Sequence, residues 1–202
     1  MSWWLFATFL VLLQATSYPP PYPRKGVTKL LENERVVVWD VSWPKGEPSL
    51  MHRHQFDMTG IFYWPGDRII TSLDGAKRSV STKKGQILWL PKGVTHVEEG
   101  TSADSLRAVM IELKGDGPSG PIAQSIDAEA FSSGVSQLDN DRVTVSTYNR
   151  ASSRTGRHFH RRDTVVVFTA KRAARAIFVR AGVVHDDERL APEDNVTVFE
   201  LK

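Results

Sequence analysis

The pattern His-x-His-x-x-Asp occurs twice in this chain, and it is the feature that most restricts the fold. The first copy runs from His52 to Asp57 and the second from His158 to Asp163. The chain of 202 residues contains six histidines, so these two short segments hold most of them. A pattern that returns in the second half of a chain indicates two structurally similar units.

The similarity between the halves extends beyond the histidine pairs. Three further segments of the first half have a counterpart in the second half, in the same order. LENERVVV (31–38) matches LDNDRVTV (138–145), GVTHVEE (93–99) matches GVVHDDE (182–188), and the closing IELK (111–114) matches FELK (199–202). Every histidine falls on a matched position, so the chain contains an internal duplication in which the second half repeats the first.

Both halves consist of segments that are typical of β-strands. RVVVWDVSW (35–43) and RAVMIELK (107–114) in the first half, and TVVVFTA (164–170) in the second, are rich in β-branched and aromatic residues. Asp-Gly and Pro-Gly pairs separate the strands of the first half. The sequence therefore predicts an all-β fold with two domains, residues 27–114 and residues 135–202.

The second domain is the shorter of the two. The segment RIITSLDGAKRSVS (68–81), whose Asp-Gly pair is typical of a hairpin turn, has no counterpart between Asp163 and His185. We therefore expect the second domain to lack about one β-hairpin. Between the domains, residues 115–134 are rich in Gly, Pro, Ser and Ala, which predicts a linker.

The composition excludes several classes of function. Cysteine is absent, which excludes disulfides, thiolate nucleophiles and metal sites built on cysteine. The net charge is only +3 and both signs are mixed along the chain, so no basic surface for nucleic acid is predicted. We therefore expect no nucleic-acid partner.

The N-terminal residues are typical of an export signal. Residues 3–13 form an apolar run that is too short to span a bilayer comfortably, and small residues follow it. We expect a signal peptide over residues 1–17, no stable membrane span, and a secreted or periplasmic protein. No basic residue precedes Arg24, so a short membrane anchor and a misassigned start remain open alternatives. Residues 18–26 contain a proline cluster and are expected to be an extended spacer.

The histidine spacing predicts metal ligation. Residues two apart on a strand point to the same face, so His52 and His54 can both face inward. His96 follows a turn-forming Pro-Lys-Gly and can supply a third imidazole from a neighbouring strand. Three imidazoles leave coordination positions open and suit a divalent transition metal: iron, manganese, nickel or zinc. Asp57 is the nearest carboxylate, and it is either a fourth ligand or a turn residue that accepts backbone hydrogen bonds.

The second domain repeats the same candidate ligands. His158, His160 and His185 are the matched imidazoles, and Asp163 is the matched carboxylate. Nearby arginines disfavour a bound divalent ion, and three of them lie close in the sequence. They are Arg157, Arg161 and Arg162. The second set is therefore either a second metal site, a vestigial site or a pocket for an anion.

These residues resemble two motifs of the cupin superfamily, G-x5-H-x-H-x3,4-E-x6-G and G-x5-P-x-G-x2-H-x3-N. The residues of the first domain that match them are Gly46, His52, His54 and Gly66, then Gly85, Pro91, Gly93 and His96. Thr59 stands where the family places a metal-binding glutamate, and Gly100 stands at the final asparagine. In the second copy the later glycines are replaced by Arg172 and Ala174, and the proline by Arg180.

The resemblance covers residues 27–202 and implies a bicupin, that is, two tandem double-stranded β-helix barrels with the second one shortened. The chain resembles quercetin dioxygenase-like cupins in particular. This resemblance implies a metal-dependent enzyme that acts on a small organic molecule and has that molecule as its partner. The alternative is a secreted non-catalytic cupin that binds a small molecule or sugar, or is structural. Cupin barrels commonly pair through strand edges, so the family implies a homodimer or an interface satisfied between the two barrels of one chain.

Overall fold

The computed structural model describes residues 17–115, 124, 128–131, 135–148, 157–186 and 195–202. The predicted signal peptide, apart from Ser17, and most of the predicted linker lie outside the described residues. Within these ranges the chain forms strands and no helix, so no helix there could span a membrane.

The strands of the first half are β1 (Val27–Glu32), β2 (Val36–Trp43), β3 (His52–Arg53), β4 (Asp57–Trp64), β5 (Gly66–Ser72), β6 (Lys77–Thr82), β7 (Ile87–Leu90), β8 (Thr95–Gly100) and β9 (Leu106–Leu113). Those of the second half are β10 (Glu129–Ala130), β11 (Val135–Asp139), β12 (Val143–Tyr148), β13 (His158–Phe159), β14 (Thr164–Ala170), β15 (Ala173–Val179), β16 (Val184–His185) and β17 (Asn195–Leu201).

The first half folds into a barrel of two antiparallel sheets. The five-stranded sheet has the order β1-β2-β9-β4-β7, and the four-stranded sheet has the order β3-β8-β5-β6. The end of β8 is pressed against the end of β2, because a Cβ on Gly100 would lie 2.2 Å from the carbonyl oxygen of Trp43. Only glycine fits at this position, which accounts for Gly100 at the end of β8.

The second half repeats this arrangement with fewer strands. Its five-stranded sheet has the order β11-β12-β17-β14-β15, and the facing sheet contains β10, β13 and β16. Nothing among the described residues of this half corresponds to the hairpin of β5 and β6, which covers residues 66–82. The prediction of a second barrel shortened by one hairpin is confirmed.

The five-stranded sheets are apolar on both faces because both faces are covered. Residues 36–39 of β2 are all buried, so this strand lacks the alternation of a half-exposed strand. One face closes the interior of the first barrel, where Phe62 and Met110 lie. The other face packs against the second half in a shared core that contains Ile111 and Phe199. The two barrels are therefore joined back to back through their larger sheets.

Two reciprocal ion pairs cross between the barrels. Asp57 Oδ2 lies 2.9 Å from Arg142 Nη1, and Asp163 Oδ2 lies 3.6 Å from Arg35 Nη1. The two aspartates are matched in the duplication, and so are the two arginines. The other oxygen of each aspartate accepts a backbone N–H from the turn before the third histidine of its own barrel, at 2.9 and 3.0 Å. Each aspartate therefore ties its own histidine turn to the opposite barrel.

Parts of both segments that were predicted to be spacers pack onto the barrels. In the first half, Arg53 N donates to Pro19 O at 2.9 Å. Tyr22 is buried against Trp39, with ring centroids 5.3 Å apart. In the second half, β10 lies parallel to β13, and Phe131 follows it into the barrel interior. Each HxH strand is thus flanked by an N-terminal arm.

Candidate metal centre

Two neighbouring strands bring the first three histidines together. His52 in β3 pairs directly with His96 in β8. His54 follows β3, and its backbone is held to the turn before β8. Its N–H donates to Val94 O at 3.0 Å, and its carbonyl accepts from Gly93 N at 2.8 Å. The three imidazoles therefore meet at one end of the first barrel.

The three side chains are buried and close enough to share one ion. The ring centroids lie 4.7 Å apart for His52 and His96, 5.1 Å for His54 and His96, and 5.2 Å for His52 and His54. One ligand nitrogen from each ring lies within 4.8 Å of the other two. Tetrahedral ligation at usual metal–nitrogen lengths needs nitrogens about 3.3 Å apart. His54 Nε2 and His96 Nε2 lie 3.3 Å apart, so this pair has the required spacing.

The hydrogen bonds of the triad leave a ligand nitrogen without a partner. His52 Nδ1 lies 2.9 Å from Leu50 O, so Nδ1 donates a hydrogen bond and Nε2 keeps its lone pair. His52 Nε2 is buried, and no described residue forms a hydrogen bond with it. Leaving a buried polar atom unpaired costs about 1–3 kcal/mol. A metal ion at His52 Nε2 would remove this cost, so the donor set fits a transition metal.

Burial keeps these imidazoles in the neutral form that binds metals. It is the main cause that lowers the pKa of His52, His54 and His96. The pKa of His54 falls to about 3, since His96 and His52 add to the effect of burial. At neutral pH the three rings therefore present lone pairs and no positive charge.

A buried ion pair beside the triad was missed in the sequence. Glu98 lies two residues after His96 on β8, hence on the same interior face, and this spacing was the available signal. Its carboxylate accepts from Trp43 Nε1 at 2.9 Å and lies 3.2 Å from Arg68 Nε. Burial raises the pKa of Glu98, but Arg68, His96 and the Trp43 hydrogen bond outweigh burial and lower it overall. The retained negative charge favours a cation at the triad.

The two aspartates considered as fourth ligands face away from the barrel interiors. On β4, Met58 and Phe62 point into the first barrel, so Asp57 on the alternate face points toward the second. Asp57 and Asp163 both form the ion pairs between barrels described above. No carboxylate of the described residues groups with either triad. Both aspartates therefore hold the turn before the third histidine and pair with the opposite barrel, and neither is a metal ligand candidate in this structure.

The second barrel also brings its three histidines together. His158 in β13 pairs with His185 in β16, and the three ring centroids lie 4.3 to 5.3 Å apart. One ligand nitrogen from each ring again lies within 4.8 Å of the others. Burial, reinforced by the two neighbouring histidines, lowers the pKa of His160 to about 3. The second triad thus offers the same donor set as the first.

The surroundings of the second triad differ from the sequence-based expectation. Of the three arginines expected to crowd the site, Arg157 and Arg161 are exposed to solvent and Arg162 is half-buried. An aromatic side chain contacts the triad, because the Phe131 ring centroid is 4.9 Å from that of His158 and 4.7 Å from that of His160. An apolar ring therefore lies against two of the three imidazoles.

Comparisons with known proteins bear on the fold. No family model and no curated protein sequence matches the chain. Among solved structures, AerE from Microcystis aeruginosa matches with a TM-score of 0.57 and 10% identity, over 92% of this chain and 98% of that protein. A cupin 2 conserved barrel domain protein from Leptotrichia buccalis matches with a TM-score of 0.49 and 13% identity, over 87% and 88% of the two chains. A cupin domain from Bordetella pertussis Tohama I matches with a TM-score of 0.42 and 25% identity, over 50% of this chain and 100% of that one.

The similarity to AerE extends over both halves of the chain and concerns the fold alone. Two of these neighbours are described as cupin-domain proteins. The sheet orders of the two halves independently give two facing-sheet barrels. The chain is an all-β protein of two cupin-type double-stranded β-helix barrels, each with a histidine triad.

Proposed function

We propose that this chain is a metal-binding bicupin and a dioxygenase-like, metal-dependent enzyme that acts on a small organic molecule. The observation that carries the proposal is the convergence of three buried imidazoles, those of His52, His54 and His96. Such a donor set binds iron, manganese, nickel or zinc and leaves coordination positions open. When bound, the metal would supply Lewis-acid or redox chemistry to a small molecule or dioxygen.

The residues around the triad supply orientation and charge. The hydrogen bond to Leu50 O fixes the tautomer of His52, so that Nε2 is the atom available to a metal. Glu98, held by Arg68 and Trp43, contributes a buried negative charge that offsets part of the charge of a cation. His54 also forms part of the wall of an open cleft at the barrel surface. A metal at the triad would therefore lie beside a negative charge of the protein.

Metal analysis of the purified protein tests the proposal. We expect near-stoichiometric iron, manganese, nickel or zinc at the first triad, and its loss in His52→Ala because a ligand is removed. Gln55→Ala is the matched control, since Gln55 is exposed beside the triad and contributes no imidazole. The matching variant His158→Ala reports on the second triad separately. A wild-type protein that binds none of these metals, or a His52→Ala variant with unchanged metal content, would contradict the proposal.

A non-catalytic cupin is the second candidate, and the missing glutamate favours it. Thr59 Oγ1 donates to Leu88 O on the neighbouring strand at 2.9 Å, so this side chain bonds within the sheet and does not point into the barrel interior. At the three-residue spacing that the motif also allows, the inward residue is Met58. Such a barrel would bind a small molecule or sugar without turnover. Purified protein that contains no metal, and whose stability does not change when metal is added, would favour this candidate.

We also propose that the chain is exported, with the apolar residues 3–13 as the signal. Cleavage after Ser17 would leave Tyr18 and the following prolines in place, and Pro19 O accepts a hydrogen bond from Arg53 N. Mass analysis of the N-terminal peptide from protein recovered outside the cytoplasm tests this point. An N-terminus that starts at Met1 in that fraction would contradict cleavage.

A further inference from the structure

The cleft beside the first triad has a positively charged rim. It has a volume of about 550 Å³, and His54 forms part of its wall. Arg53 after the first ligand and Lys92 from the turn before β8 also line it. Both are exposed, and neither forms an ion pair with any residue that the structure describes. The lining contains no carboxylate, and the volume is that of a small-molecule site.

The fold holds these two cations on the same rim. Arg53 Nη2 lies 3.8 Å from the position that a Cβ on Gly93 would occupy, so the guanidinium lies over the turn that carries Lys92. Lys92 N donates to Asp57 at 2.9 Å, and Gly93 N donates to His54 O at 2.8 Å, so the turn is fixed. Two like charges on one rim, with no carboxylate in the lining, attract an anion.

The second barrel lacks this charge at the matched positions. Phe159 stands in place of Arg53, and Ala181 stands in place of Lys92. The aspartate that holds the turn and all three histidines are retained in both copies. The two cations are therefore not needed to build a barrel or to bring a triad together, which favours a role toward a ligand of the first barrel.

The described interior of the first barrel is filled by its own side chains. Trp43, Phe62 and Tyr22 are buried there in one apolar cluster. Arg68 fills the space next to them, with its guanidinium carbon 5.4 Å from the Trp43 ring and 4.8 Å from the Phe62 ring. The cleft, by contrast, is open to solvent and is lined by both cations.

We propose that the cleft on the outer side of the first HxH strand binds a small organic oxyanion, a carboxylate or a phosphate, which Arg53 and Lys92 hold. The planar guanidinium matches the paired oxygens of such groups, and the ammonium adds a point charge. Arg53 follows His52 on the strand, so its side chain leaves on the solvent side and the imidazoles lie on the interior side. The two cations act on the anion directly and are not metal ligands, so the inference goes beyond the proposed function and does not depend on a bound metal.

Binding of simple aromatic probes to full-length, metal-free protein tests the inference by ligand-detected NMR. The probes are benzoate, phenyl phosphate and the neutral benzamide. We expect at least one anion to bind, and its affinity to fall at least about tenfold in Arg53→Gln/Lys92→Gln because charge-assisted hydrogen bonds are lost. The control Lys83→Gln/Lys84→Gln removes the same charge from an exposed turn and should keep the wild-type affinity.

The anion that binds more tightly identifies the group as carboxylate or phosphate. The inference is overturned if neither anion binds, if benzamide binds as tightly, or if the double variant keeps its affinity. Lys92→Glu is a second variant that reverses one charge, and it should also weaken anion binding. Metal content is measured on parallel samples. A protein that binds the anion and no metal rejects the proposed function alone, whereas bound metal without charge-dependent anion binding rejects this inference alone.

Discussion

The two barrels share a histidine triad and differ in what surrounds it. The first triad has the buried pair of Glu98 and Arg68 beside it, and the strand that carries two of its histidines borders a cationic cleft. In the second barrel, Phe131 lies against two of the imidazoles. The backbone that positions the imidazoles is thus common to both copies, whereas among the described residues the charged groups near the triad are concentrated in the first.

The hairpin of β5 and β6 accounts for a large part of this difference. It contributes Arg68, which pairs with Glu98, and Thr82, whose Oγ1 accepts from Arg68 Nη1 at 3.2 Å. The described part of the second barrel has no equivalent strands. A loss of one hairpin therefore removes a charged layer from the barrel without disturbing the triad.

The largest effect is expected from Glu98→Gln, which isolates the charged layer of the first barrel. The change leaves the buried guanidinium of Arg68 without its counter-charge, and breaking such a pair costs about 3–5 kcal/mol. Urea unfolding measures the free energy of unfolding. Glu99→Gln is the control on the next residue, which forms no ion pair with any described residue, and it should change stability little. Equal losses in the two variants would show that the buried pair has no special role.

Acidification should reveal that the two triads behave alike. The pKa of His54 and of His160 is about 3 in the folded protein, whereas an unfolded histidine has a pKa of about 6.5. Below pH 6.5 these two histidines are therefore protonated in the unfolded chain and remain neutral in the folded chain. Stability of metal-free protein should be highest above pH 6.5 and fall toward pH 3, by at most about 1.4 kcal/mol per pH unit for each histidine.

Glutamine variants separate the two contributions to this pH dependence. His54→Gln and His160→Gln should each flatten the decrease of unfolding free energy between pH 6.5 and 3, measured by urea unfolding at several pH values. If only one variant changes the slope, the two triads differ in burial in solution and the comparison of the barrels must be revised.

The reciprocal ion pairs should differ in strength. Asp57 lies 2.9 Å from Arg142 and Asp163 lies 3.6 Å from Arg35, so Asp57→Asn should cost more than Asp163→Asn. A charged hydrogen bond in a partly buried position contributes about 1.5–3 kcal/mol, which sets the upper range for Asp57→Asn. A double-mutant cycle with Arg142→Gln measures the coupling directly. No coupling between these two positions would exclude the ion pair in solution.

The smallest effect is expected at a third contact between the barrels. Glu34 Oε1 and Arg180 Nη2 lie 2.6 Å apart, but both side chains are more than half exposed. Solvent and salt screen such a pair, so Glu34→Gln should leave the unfolding midpoint unchanged in a thermal melt. A clear decrease would show that the exposed rim also holds the barrels together.

The sequence predicts the parts of the site that depend on order and spacing. The i, i+2 spacing of His52 and His54, and the matched third histidine, are enough to place each triad on two strands of one barrel. The missing hairpin follows from the shorter distance between the matched segments of the second copy. Both features are local in the chain, so no knowledge of packing between the barrels is needed.

The face of Asp57 could not be predicted in the same way. Strand β4 is buried on both sides, so its residues do not alternate between polar and apolar and the pattern does not show which face is inside. Only the packing of the second barrel against this sheet decides the orientation. The pairing of Glu98 with Arg68 likewise joins distant positions through the register of β5 and β8.

The two large sheets share one core, so each barrel covers an apolar sheet face of the other. A barrel cut from either half would turn the same apolar sheet face toward water. It would have to recruit a second copy of itself, or any other flat apolar surface, to hide that face. Each such fragment would also lose the opposite arginine, which pairs with the aspartate that holds the turn before the third histidine.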